Sequence, residues 1–130
     1  EMESLNWSLD DLRRKTSEEL YEELSLLSSF STNLQRIINH KTTRANWAAS
    51  NLRIVFGSEA QNYPIYSYEG QKNAVIANNE YARKLHDLVT NSQMVVDRLS
   101  YLPAKVDFIT KQIDSILRNR RELSYAARTS

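Results

Sequence analysis

The sequence predicts an all-α protein: a long antiparallel helical hairpin of coiled-coil type, with a short N-terminal helix ahead of it, assembling as a homo-oligomer. Three observations carry that expectation. Only two glycines and two prolines occur in 130 residues, too few for the turns of a sandwich or barrel, where corners need φ > 0 or a fixed φ. Two stretches repeat apolar residues at alternating spacings of four and three, the signature of a helix packed along one seam. The segment joining them is only about a dozen residues long, so the two helices must fold back on each other.

Residues 1–16 form an acidic leader. In it Ser8 precedes Leu9-Asp10-Asp11-Leu12, a capped short helix with acids at its positive end that stops near Lys15. Trp7 is read as an anchor onto the hairpin or onto a neighbouring molecule, not as a site residue. Thr16-Ser17-Glu18-Glu19 then has the form of a capping box, with the Thr16 hydroxyl accepting from the Glu19 N–H while the Glu19 carboxylate reaches back.

The first long helix is expected over 17–56. Its seam is Leu20, Leu24, Leu27, Ser31, Leu34, Ile38, Lys41, Ala45, Ala48, Leu52 and Val55, with Gly57 placed for a left-handed C-terminal cap. Forty helical residues extend about 60 Å. The connection, 57–68, holds both aromatic and turn residues. The second long helix is expected over 69–121, with Tyr81, Leu85, Leu88, Ser92, Val95, Leu99, Leu102, Val106, Ile109, Ile113 and Ile116 on its seam. Pro103 falls inside this run, yet the register is the same on either side of it, so the expectation is one kinked helix. Residues 122–130 lack an apolar face and are read as a basic, frayed tail.

A two-stranded seam leaves other apolar positions uncovered, among them Phe30, Ile37, Trp47, Ile54, Phe108 and Leu117. Apolar residues outside a seam pack on a partner, hence the expected homo-oligomer, with a ring as one closed form.

The net charge of +1 conceals an asymmetry. Residues 1–23 carry eight acids and three bases, and no acid at all occurs between Glu23 and Glu59. Arg36, Lys41, Arg44 and Arg53 lie in that acid-free stretch. Spread along one helix, they can follow a phosphate backbone whose binding is driven by counterion release; the same density also suits a solvated helix face. Lys41, on the seam itself, either sets register or points into a groove. Tyr63, Tyr66 and Tyr68 in the connection either stack on unpaired bases or plug the open end of the hairpin. Arg118, Arg120, Arg121 and Arg128 are the cations expected near a helix C-terminus.

Enzymatic chemistry finds no support. There is no cysteine, so no thiolate metal site or cysteine nucleophile. His40 and His86 lack partners at metal-ligand spacing, and no phosphate-loop, dinucleotide or zinc-protease motif occurs. No catalytic residue, metal or cofactor is therefore assigned. Glu80 and Asp87, and Asp107 and Asp114, lie seven apart on shared helix faces and are expected in exposed ion pairs with Arg83, Lys84, Arg98 and Lys111. No apolar run approaches a membrane span and no signal pattern opens the chain, so a cytoplasmic protein without membrane association is expected.

An acidic N-terminal helix comes first. A long basic helix then closes on Phe56-Gly57-Ser58, followed by a tyrosine-bearing connection. Tyr68-Glu69-Gly70-Gln71-Lys72 leads into a second long helix ending at Arg118-Asn119-Arg120. Over about residues 17–121 this layout resembles the UvsY recombination mediators of T-even-like phages. The resemblance implies a phage-encoded, non-enzymatic protein of the host cytoplasm that forms a ring-like oligomer. It further implies binding to single-stranded DNA, and help to a RecA-like recombinase in displacing single-strand-binding protein. It places DNA contacts at Arg53 and, more loosely, at Arg44 and Lys41; Arg36 and Lys72 complete the set of candidate DNA-binding cations. Where that family has a second basic residue just before the matching arginine, this chain has Asn51. The class kept beside this one is a non-enzymatic helical scaffold, such as a virion, secretion or effector-complex subunit.

Overall fold

The computed structural model describes residues 2–64 and 67–129. Among these the secondary structure is helical throughout: a 3-10 turn at Glu3–Asn6, then α1 (Leu9–Arg13), α2 (Ser17–Glu59), a second 3-10 turn at Ala60–Asn62, α3 (Tyr68–Asn78), α4 (Glu80–Leu99) and α5 (Leu102–Thr129). Both N-terminal caps form as the sequence dictates. The Ser8 hydroxyl accepts from the Asp11 N–H at 3.2 Å while the Asp11 carboxylate accepts from the Ser8 N–H at 2.9 Å. Thr16 and Glu19 repeat the arrangement, each bond at 3.1 Å. These bonds satisfy N–H groups that a helix start otherwise leaves without partners. Because each carboxylate gains donors, Asp11 and Glu19 are both held below the usual carboxylate range.

The chain divides into two compact units. One comprises the residues up to Gln35 together with those from Tyr101 onward; the other is Arg36–Ser100. In the first unit the start of α2 runs antiparallel to α5. Arg120, near the end of α5, reaches the Ser17 hydroxyl, while Leu24 to Thr32 border a groove shared with Pro103 to Thr110. Leu20, Leu27 and Ile113 are fully buried here, and Leu34, Leu102, Val106, Ile109 and Leu117 nearly so. Burying a leucine or isoleucine side chain contributes about 1.5–3 kcal/mol, and this line of eight is what holds the unit together. The leader closes over it: the 3-10 turn and α1 pack on α5, with Leu5 and Leu12 buried and the Lys105 ammonium donating to the Asn6 side chain. Trp7 is half-buried with the Lys15 ammonium 4.5 Å from its ring centre, a cation–π contact.

The second unit combines the rest of α2 with α3 and α4, around buried Ala45, Ala48, Val75, Ala82, Leu85 and Ser92. Small residues at 45, 48 and 82 suit a close helix approach. Lys41 is half-buried on this seam. Leu88, Val95 and Leu99 of the expected seam are half-buried, as is Ile116 in the first unit.

Several expectations are corrected. The helix foreseen over 69–121 is three helices. At Asn79 the backbone is extended (φ −117°, ψ 114°) and the side chain accepts from the Ala82 N–H at 2.9 Å, so Asn79 ends α3 and caps α4. The second break lies at Ser100 and Tyr101, where the Ser100 hydroxyl donates to the Asp97 carbonyl. Pro103 therefore sits in the first turn of α5, where the missing N–H has no helical acceptor to lose. A broken helix keeps its register when the break inserts no residue, which is why the heptad alone could not reveal either one.

Gly57 is not a left-handed cap, because no glycine has positive φ among the described residues; α2 runs on to Glu59. Residues 122–129 are not a frayed tail but the exposed end of α5. Tyr81 is exposed and Ala82 takes its seam position. Leu117, expected beside the seam, is buried while Ile116 is only half-buried, as the drift of a straight 3.6-residue helix past a seven-residue repeat requires. No described helix is long and apolar enough to cross a membrane.

Candidate nucleic-acid interface

The second unit contains a groove of about 300 Å³ where α2, α3 and α4 meet. Its geometry follows from local bonds. Ser67 caps α3 by accepting from the Gly70 N–H at 2.9 Å, which fixes the first turn carrying Tyr68 and sets Lys72 one turn further along. The Gln71 amide donates to the Tyr63 carbonyl at 3.1 Å and ties α3 back to the connection. Phe56 of α2 and Tyr68 of α3 meet with ring centres 5.0 Å apart and planes tilted by 60°, within the range of favourable aromatic pairs. At the other end the Arg83 guanidinium donates to the Ala77 carbonyl, bracing α4 against α3.

Into this groove Arg53 projects from α2, Lys72 from α3 and His86 from α4, over a floor that includes Leu52, Val75 and Val89. None of the lining side chains is acidic. Arg53 is exposed and Lys72 half-buried, and both line a space that also has apolar and aromatic walls. Such a space accepts a flat apolar group and holds an anion at its rim, the two halves of an unpaired nucleotide.

Of the candidate DNA-binding residues the fold brings Arg53, Lys72 and Tyr68 together. It does not add the others. Arg44 and Arg53 are nine residues apart on α2, two and a half turns, which places them on roughly opposite sides of the helix. Arg36 is exposed on α2 and, eight residues before Arg44, lies nearer that residue's side. Lys41 belongs to the seam. The four candidate cations of α2 thus do not form one track along it. Tyr63 is half-buried and contributes its carbonyl; Tyr68 is exposed at the groove mouth; Tyr66 lies outside the described residues. Phe56 and His86 are site residues the sequence reading did not assign, and the only signal for them was their place beside the seam, at positions adjacent to Val55 and Leu85.

A metal centre finds no donors: among the described residues no three His, Cys, Asp or Glu side chains cluster. Elsewhere on α4 and α5 two of the expected exposed ion pairs form, Lys84–Glu80 at 3.4 Å and Lys111–Asp107 at 2.9 Å, the latter raising Lys111 above its ordinary value; among the described residues Asp87, Asp114 and Arg98 form none, and Arg83 donates to the Ala77 carbonyl instead. Compared with known proteins, the chain matches no family model, no curated protein and no solved structure.

Proposed function

We propose that the protein binds single-stranded DNA through the groove between α2, α3 and α4 and, without catalysing a reaction itself, serves as a recombination mediator. The observation that carries the DNA reading is the presence of Arg53 and Lys72 in the lining of one acid-free groove together with the Phe56–Tyr68 ring pair. The two cations neutralise adjacent phosphates and release counterions, while an unstacked base enters between the rings and the aliphatic floor, a contact worth roughly 1–3 kcal/mol per base without sequence preference. The mediator role, with a RecA-like recombinase and single-strand-binding protein as partners in the cytoplasm, rests on the layout that resembles the UvsY family.

Fluorescence anisotropy of a labelled single-stranded oligonucleotide tests the proposal. Arg53→Ala, Lys72→Ala and Tyr68→Ala should each weaken binding, with Tyr68→Ala costing about 1–3 kcal/mol, and Arg44→Ala, from the other side of α2, should leave it within about 0.5 kcal/mol. Wild-type protein that binds no oligonucleotide at low salt overturns the reading. The scaffold alternative, favoured by the exposed Trp47 and Ile54, predicts that outcome.

A further inference from the structure

On the second unit's part of α2 a second stripe repeats at alternating spacings of three and four: Ile37, His40, Arg44, Trp47, Asn51 and Ile54. It lies beside the buried line, since Arg44 and Trp47 each precede buried Ala45 and Ala48 by one residue, about 100° around the helix. Its apolar members are open to solvent, with Ile37 43%, Trp47 55% and Ile54 70% exposed. Apolar side chains at heptad spacing on an exposed face make a second packing seam, and here the seam carries the Arg44 charge in a stretch with no acid from Leu24 to Ser58. Its complement is present in the same sequence. At the start of α2, Glu18, Glu22 and Leu26 follow at spacings of four on one exposed face, with Leu26 56% exposed and Tyr21 50% exposed beside it. Among the described residues, neither the Arg44 guanidinium nor the Glu18 and Glu22 carboxylates have an ion-pair partner.

We infer that this stripe, with Arg44 at its centre, docks the acidic start of α2 from a second copy of the chain. With the two segments antiparallel and Leu26 level with Ile37, Glu22 falls level with position 41, between His40 and Arg44, and Glu18 falls level with position 45, beside Arg44. Leu26 then packs against Ile37, and the charges fix direction and register.

The test is the mass of the full chain by light scattering and sedimentation over a range of concentrations. Wild type should form a dimer or larger assembly. Arg44→Glu alone, and Glu18→Lys with Glu22→Lys in one chain, should each weaken assembly by about tenfold or more. An equimolar mixture of these two proteins should restore it, because each mutated surface then meets an opposite charge. All the changed side chains are exposed, and circular dichroism verifies that each variant stays helical. A wild-type chain that is monomeric throughout, an Arg44→Glu chain that assembles normally, or a mixture that fails to recover overturns the inference. Arg53→Ala with Lys72→Ala should assemble as wild type does, so loss of DNA binding and loss of assembly are read separately.

Discussion

Replacing Arg120 with alanine should destabilise the first unit far more than its position near a helix end suggests. Its guanidinium donates to the Ser17 hydroxyl at 3.1 Å, to the Arg13 carbonyl at 3.1 Å and to the Lys15 carbonyl at 2.9 Å. It therefore clamps the end of α1, the turn and the start of α2 onto α5. A hydrogen bond from a charged donor contributes about 1.5–3 kcal/mol net. Arg120 is half-buried and two of its bonds share one nitrogen, so the three together are worth ~2–3 kcal/mol rather than their full sum. That corresponds to a fall in Tm of roughly 6–12 °C for a chain of this size. Arg120→Lys should recover only a part, because an ammonium lacks the planar fork that reaches three acceptors at once. Urea and thermal unfolding followed by circular dichroism measure the loss, with Arg121→Ala, an exposed neighbour, as the reference within about 0.5 kcal/mol. Equal stability of the Arg120→Ala and Arg121→Ala proteins would refute the clamp.

Pro103→Ala should change stability by no more than about 1 kcal/mol, whereas removing a proline from a helix interior would stabilise by ~3 kcal/mol; chemical denaturation separates a break before α5 from a kinked continuous helix. Ile113→Ala, at a fully buried site, should cost about 2–5 kcal/mol, while Phe108→Ala, 60% exposed, should cost under about 1 kcal/mol. The Asp11 and Glu19 carboxylates sit below their ordinary range through the Ser8 and Thr16 cap bonds. Their contribution is thus fully present above the unfolded carboxylate value and is lost as pH falls through the lowered folded one. Melting curves from neutral to acid pH should show Ser8→Ala and Thr16→Ala proteins losing less stability on acidification than wild type.

How far the sequence speaks for itself depends on which signal an element leaves. The seam positions Leu20, Leu27, Leu34, Ala45, Ala48, Leu85, Val106, Ile109 and Ile113 are legible because burial of one stripe is what spacings of four and three encode. The Ser8 cap and the Thr16 capping box are legible because their chemistry is local. The breaks at Asn79 and Ser100 leave the heptad phase intact, so periodicity is blind to them; Asn79 ahead of Glu80 and Pro103 two residues into a helix were the weak local cues. Arg53, Lys72 and Tyr68 were each legible as cations or aromatics. Their meeting was not, because it depends on where α3 and α4 start and hence on those same breaks. Arg120 illustrates the converse, a residue whose type suits a helix C-terminus but whose work is a long-range clamp.

The most direct test of the groove is the salt dependence of single-stranded DNA binding by the wild-type chain and by the chain carrying both Arg53→Ala and Lys72→Ala. Each cation that neutralises a phosphate of a single strand contributes about 0.7 to the slope of log affinity against log salt. Loss of both should lower that slope by about 1.4 as well as weaken binding. Binding with an unchanged slope in the double variant would contradict the account, since the phosphates would then be held elsewhere.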